Sequence, residues 1–301
     1  MQFNLITVLG PTAVGKTRFA VQLAEKFSGE IISADSRQVY KQMDLGTGKD
    51  YDDYLISGNK IPYHLIDIIE PKDEYNLFQF KNDFSNAFNK ISGRGKLPFL
   101  VGGTGLYIHS ILKNYKLNKS HFDKLVISKY ENYTIEELKV KLLKIKTNLH
   151  NTTDILIKER LINALIIAEN EIVESIDTSK IFSLTIGIKA DRNIVKKRIT
   201  ARLKERFKNG MIEEVETLIK NGITPERLKL FGLEYKFITM YLSGELNYND
   251  MFQKLNSAIH KFAKRQMTWF RKMEREGIKI FWFENSEINS AATLIKAKFN
   301  F

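Results

Sequence analysis

The sequence predicts an α/β protein, with a P-loop-containing parallel-sheet core and a helical inserted lobe. Three observations predict it. The apolar run Phe3 to Leu9 leads into Gly10-Pro11-Thr12-Ala13-Val14-Gly15-Lys16-Thr17, then into Phe19, Ala20, Leu23, Ala24 and Phe27 at helical spacing, which reads as strand, phosphate loop, helix. Short apolar runs and helix-period stretches alternate after it, as parallel strands joined by helical crossovers require. The alternation lapses between 115 and 179 and then resumes. The core is therefore expected over 1–114 and 180–301, and the inserted lobe over 115–179.

Each element has a local reason. Two glycines let the phosphate loop fold tightly enough for successive N–H groups to meet one anion, and the helix N-terminus adds partial positive charge. Lys16 reaches an outer phosphate and Thr17 can hold Mg²⁺, so the loop is a pyrophosphate clamp. Glu30 to Ala34 reads as a second strand delivering Asp35-Ser36-Arg37-Gln38 at its C-terminal end, where parallel sheets bind ligands. A helix is expected over 76–91, ended by Gly93-Arg94-Gly95, and a buried strand over 97–101. Gly102-Gly103-Thr104-Gly105 then opens another helix. In the lobe, Thr134-Ile135-Glu136-Glu137 is a capping box for a helix to about Lys146, and a second helix is expected from Asp154 to about Ile172. Ile181 to Ile188 restores a core strand, and Asp191 caps the basic helix after it. Helices over 211–219, 233–242 and 249–276 and a last strand over 278–283 complete the chain.

Composition narrows the class. The 301 residues are 43% hydrophobic, enough to bury a large core, and no apolar run approaches the length of a membrane span. The first strand follows Met1 directly, with no signal-peptide pattern, so a cytoplasmic protein without membrane attachment is expected. With no cysteine, disulfides, Cys-ligated zinc and thiol catalysis are excluded, and the five histidines form no HExxH pair. The net charge of +12 fits either a polyanionic partner or the lysine-rich usage of an AT-rich genome, and the position of the charges must decide.

Six motifs stand in one order: the phosphate loop, Asp35-Ser36-Arg37-Gln38-x-Tyr40, Gly46-Thr47, His64-Leu65-Ile66-Asp67, Leu100-Val101-Gly102-Gly103-Thr104-Gly105-Leu106-Tyr107, and Lys264-Arg265-Gln266-x-Thr268-Trp269-Phe270-Arg271. Together they resemble the tRNA dimethylallyltransferase (isopentenyl transferase) family from Leu5 to about Trp282. The phosphate loop alone would have suggested an NTPase or a kinase. The resemblance implies transfer of a dimethylallyl group from dimethylallyl diphosphate to the exocyclic N6 amine of the adenosine 3′-adjacent to the anticodon, with Mg²⁺ as cofactor. The partner it implies is a tRNA anticodon stem-loop, and a monomer is expected. The alternative is an adenylate isopentenyltransferase acting on free AMP, ADP or ATP; the helical insert, the charge and the Lys264 to Arg271 stretch favour tRNA.

The resemblance also distributes roles. Gly10 to Thr17 with Arg198 and Arg202 would bind the diphosphate, although a basic helix face can also be merely solvated. Asp35 would be the general base, where a post-strand Asp otherwise reads as a turn former or cap. Thr104 would hydrogen-bond at the amine or the Asp35 carboxylate, against its plainer use as a helix cap. Asp67 divides evenly between a Mg²⁺-bound water and a strand end. The tRNA would be met by Asp35, Ser36, Arg37, Gln38 and Thr104 at the base, by Glu159, Arg160 and Asn163 in the lobe, and by Lys264, Arg265 and Arg271 along the backbone. Trp269 and Phe270 read as core before stacking platforms. Three departures from the family pattern stand out: Gly46-Thr47-Gly48-Lys49 replaces Gly-Thr-Ala-Lys, Glu159-Arg160-Leu161-Ile162-Asn163 replaces Gln-Arg-x-x-Arg, and Gly232-Leu233-Glu234-Tyr235-Lys236 replaces Gly-Tyr-Lys/Arg.

Overall fold

The computed structural model describes residues 3–56, 58–117, 124–145, 158–169 and 178–299, the side chains of 124–127, 159, 160, 163 and 167 excepted. The chain starts with β1 (Leu5–Leu9), α1 (Lys16–Lys26) and β2 (Gly29–Ala34). A small antiparallel hairpin follows, β3 (Leu55–Ile56) with β4 (Asn59–Lys60), and then β5 (Tyr63–His64). Next come α2 (Leu77–Gly93), β6 (Leu97–Gly102) and α3 (Gly105–Leu112). The lobe contains α4 (Lys124–Glu131), α5 (Ile135–Ile145) and α6 (Lys158–Glu169). The core resumes with β7 (Ser183–Lys189), α7 (Arg192–Lys208), α8 (Met211–Lys220), α9 (Pro225–Leu228), α10 (Leu233–Leu242) and α11 (Tyr248–Arg275), and closes with β8 (Ile280–Glu284) and α12 (Ile288–Phe299).

Six strands form one sheet in the order β5-β2-β6-β1-β7-β8, every pair parallel. An all-parallel sheet needs both faces covered, and β1 shows the result. Ile6 and Val8 join the cluster on one face, which includes residues of α1, α7, α8, α10 and α12, while Leu5 and Leu9 join the cluster on the other with α2 and α3. The 28-residue α11 serves both faces. Met251, Leu255, Ile259 and Ala263 belong to the first cluster, Phe270 and Met273 to the second, and Gln266 stands where the helix changes over.

Capping chemistry sets several boundaries. Asn76 and Gln79 make a reciprocal capping box at the start of α2, and Asp191 accepts from the N–H groups of Asn193 and Ile194 at α7. Three helices have no counterpart among the sequence expectations: α4, the short α9, and α12, which buries Ala291, Ala292, Ile295 and Phe299 at helical spacing. The helix expected over 154–172 is described only as α6, its flanks lying outside the described residues.

The chain divides into two compact units, 1–114 with 178–301, and 115–177. The smaller unit has its own core of Tyr130, Leu138, Leu142, Leu161, Ile162, Leu165 and Ile166. In the larger unit, the point where the chain leaves and the point where it returns are fastened together. The Thr178 N–H and hydroxyl both lie within hydrogen-bond reach of Asn114 Oδ1, at 2.9 and 2.8 Å, and Lys81 Nζ donates to the same oxygen at 3.0 Å. Among the described residues no helix is long and apolar enough to cross a membrane.

Candidate active site

The phosphate loop turns at the C-terminal end of β1. Val14 is fully buried and anchors it, Gly10 and Pro11 are buried at its base, and Gly15 takes the left-handed conformation (φ 83°) that directs the chain into α1. Thr12, Ala13, Gly15, Lys16 and Thr17 face a cleft also lined by Asp35, Gln38, Gly48, Asp50, Asp53, Arg202 and Arg206. Burial pushes the Lys16 ammonium down to about 8, an effect that nearby Arg202 adds to and Asp35 opposes. Such a lysine is poised for an anion and lacks a full counter-charge from the protein.

Asp35 follows β2, which ends beside β6 in the sheet, and enters the cleft from the side opposite β7. Its Oδ1 accepts the Arg37 N–H at 2.9 Å, which fixes the carboxylate. Thr104 precedes α3 without capping it: its Oγ1 accepts the Ser36 N–H at 3.1 Å, and its own N–H donates to Ala34 O at 3.2 Å. The threonine therefore holds the segment carrying Asp35. Gln38 lines the cleft with its amide engaged on both sides, accepting from Ser33 Oγ and donating to Gly48 O, each at 3.0 Å. Ser36 and Arg37 are half-buried beyond the lining.

The second half of α7 supplies the cleft's guanidiniums. Arg202 donates to Thr12 Oγ1 on the phosphate loop, and burial with the neighbouring Arg206 charge pushes it down to about 10. Arg198, expected beside Arg202, is exposed and outside the lining; Arg206, one turn further on, takes the inward place. Sequence reasoning also missed Asp50, Asp53 and Glu234. Burial, then the Asp50 charge, holds the Asp53 carboxyl above its usual range, and burial does the same to Glu234. Asp67 serves the scaffold: it bonds the buried Lys49 ammonium and the Tyr51 hydroxyl and does not line the cleft. Glu214 holds the loop before Asp50 by accepting the N–H groups of Asp44, Leu45 and Gly46 at 2.8, 2.7 and 3.0 Å and the Tyr235 hydroxyl at 2.7 Å. In the segment whose register departed from the family pattern, Tyr235 is thus the buried aromatic under that loop.

Gln266 ties α11 to the site. Its Oε1 accepts the Thr12 N–H and its Nε2 donates to Gly103 O, both at 2.9 Å. Lys264, Arg265 and Arg271 are exposed on the same helix, Phe270 is fully buried, and Trp269 is half-buried against α3. The side chains of Glu159, Arg160 and Asn163 lie outside the described residues. Among the described residues no three His, Asp or Glu side chains gather as a metal cluster.

Comparison with known proteins agrees with this architecture. A family model described as IPP transferase matches residues 38–273, and one described as isopentenyl transferase matches residues 3–67. The chain is 51% identical over 294 residues to tRNA dimethylallyltransferase 1 of Azobacteroides pseudotrichonymphae, covering 96% of this chain and 95% of that one. It is 50% identical over 287 residues to tRNA dimethylallyltransferase 1 of Geotalea daltonii, covering 95% and 92%. Among solved structures, the full-length tRNA isopentenylpyrophosphate transferase of Bacillus halodurans superposes with a TM-score of 0.72 at 30% identity, over 99% of this chain and 97% of that one.

Proposed function

The chain belongs to the IPP transferase family, and from that premise we propose that its cleft transfers the dimethylallyl group of dimethylallyl diphosphate to the N6 amine of the adenosine 3′-adjacent to the anticodon of tRNA, releasing diphosphate. The observation that supports this reading most is that the Asp35 carboxylate lines the same cleft as Lys16, Thr17 and Arg202. Two difficulties limit the reaction: a highly charged leaving group, and an aromatic amine that must lose a proton.

As the bond from the allyl carbon to the diphosphate oxygen breaks, negative charge grows on that oxygen. Lys16, Arg202 and the phosphate-loop N–H groups oppose that charge from positions fixed before the reaction. The N6–carbon bond forms as the N6 proton passes to Asp35, whose carboxylate is held in place by the Arg37 N–H. Thr104 keeps that segment in place and has its own hydroxyl proton to offer. The oxygen donors Thr17, Asp50 and Asp53 suit Mg²⁺, which keeps most of its waters and is shared with substrate phosphates. When bound, Mg²⁺ would neutralise charge on the diphosphate.

Adenine stacked in an anticodon loop is out of reach, so the base is taken from its stack into the cleft. The exposed Lys264, Arg265 and Arg271 offer phosphate contacts for the stem. The protein acts as a monomer on the cytoplasmic tRNA pool. The test is incorporation of label from dimethylallyl diphosphate into unmodified tRNA carrying adenosines next to the anticodon, beside AMP and ATP as acceptors. Label in tRNA alone is expected. Label in free nucleotide would make the enzyme an adenylate isopentenyltransferase.

A further inference from the structure

Arg206 is buried, with 7% of its surface exposed, and lines the cleft one turn beyond Arg202. Among the described residues its Nη2 is buried without a hydrogen-bond acceptor, and the nearest acid oxygen, Asp50 Oδ2, stands at 3.5 Å, an ion pair beyond good hydrogen-bond length. A buried guanidinium N–H without an acceptor is costly, and a second guanidinium beside it adds repulsion. That repulsion contributes to the depressed Arg202. Both costs vanish when a multivalent anion enters between the two.

The backbone also makes room for this side chain. Gly48 has φ +72°, and a Cβ there would lie 2.3 Å from Arg206 Nη2. This is the residue at which the sequence departs from Gly-Thr-Ala-Lys. The glycine and the arginine are therefore one device, since a side chain at 48 would push the guanidinium out of its place.

We propose that Arg206 is a further phosphate ligand of the cleft, its Nη2 taking an oxygen of the departing diphosphate and releasing Asp50 as it does so. This rests on the reading of the cleft as a diphosphate site. Two guanidiniums one turn apart suit two linked phosphoryl groups better than one, so the pair favours diphosphate over monophosphate.

The test is calorimetric titration of the full chain with inorganic diphosphate and with inorganic phosphate, in a metal-free buffer. Arg206→Gln is expected to weaken diphosphate binding about tenfold or more and phosphate binding less. Asp50→Asn, which frees the guanidinium, is expected to tighten it. Gly48→Ala should weaken diphosphate binding in the parent and add no further loss in the Arg206→Gln background, where its backbone strain is equally present. If Arg206→Gln does not fold, Gly48→Ala in the parent tests the same contact alone. Parent-like diphosphate affinity in Arg206→Gln would overturn the assignment, as would unchanged affinity in Gly48→Ala. Equal weakening by Arg206→Gln and Asp50→Asn would make the pair a strut for the loop. Absence of diphosphate binding by the parent itself would instead overturn the reading of the cleft.

Discussion

Lys16 sets two quantities moving in opposite directions with pH. Its ammonium, ordinarily ionising at 10.5, is pushed down to about 8 by burial in the cleft. The charged form is thus disfavoured in the folded chain, and below pH 8 the fold carries a penalty of roughly 3 kcal/mol for holding it. Between the folded and unfolded values the unfolded chain binds more protons, so the penalty shrinks as pH rises, to about 1.5 kcal/mol near pH 9.5. Lys16→Met retains the stem and removes the charge, so it should be more stable than the parent by about 3 kcal/mol near pH 7.5 and by about half that near pH 9.5. Taking the difference between the two proteins cancels other groups, including the buried Tyr54 and Tyr107, which burial raises above their usual value.

Diphosphate binding runs the other way. The ligand needs the charged lysine, so over about the same two pH units the parent should lose up to roughly 25-fold in affinity beyond the change seen in Lys16→Met, which retains only the ligand's own ionisation. The assays are urea unfolding followed by circular dichroism and titration with inorganic diphosphate, each at several pH values. A stability difference independent of pH, or a Lys16→Met chain less stable than the parent, would refute the reasoning.

Asp35→Asn keeps an oxygen to accept the Arg37 N–H, so it should fold normally and bind tRNA within a few-fold, yet lose at least about a hundredfold in single-turnover rate; near-normal turnover would remove Asp35 from proton transfer. Gln266→Leu leaves the Thr12 N–H and the Gly103 carbonyl without partners, a cost of roughly 2–4 kcal/mol. It should lower Tm by about 5 °C or more and weaken diphosphate binding, as differential scanning fluorimetry and titration would show. Lys264→Gln and Arg265→Gln should each reduce the slope of log affinity for tRNA against log salt by about 1, and an unchanged slope would place the RNA on another surface.

The sequence was most informative where local chemistry dictates geometry. The phosphate loop, Asp35 after β2 and the Asp191 cap each depend on neighbours within a few residues, and each is legible in one dimension. The cleft's far wall was not, because Asp50, Asp53 and Arg206 come from separate loops and helices that only the tertiary fold brings together; the same holds for Glu234, which feels the charges of Arg206 and Arg202 from outside the lining. The expected pair was Arg198 and Arg202; Arg206 stands four residues further along the same helix, and local spacing alone does not say which end of α7 meets the phosphate loop. Thr104 was expected at the amine or the Asp35 carboxylate ahead of a capping role, but its bond to Ser36 lies across two strands' ends, which no local pattern reveals. Helix α12 does carry a local signal, since its buried residues keep the helical period. Strand order was beyond reach: nothing in β1 states that it will lie between β6 and β7.

The junction at Asn114 and Thr178 has a consequence for how such a chain can change. Because one amide oxygen fastens departure to return, with Lys81 gripping the same atom, the sheet closes over the gap whatever lies between. The entropy of tethering the intervening segment rises only slowly with its length. Evolution can therefore lengthen, trim or replace the 63 residues of that unit, spanning 115–177, while the catalytic scaffold keeps its shape. For an engineer the same clasp marks the seam, where the inserted unit can be exchanged for another without redesigning the sheet that carries the cleft.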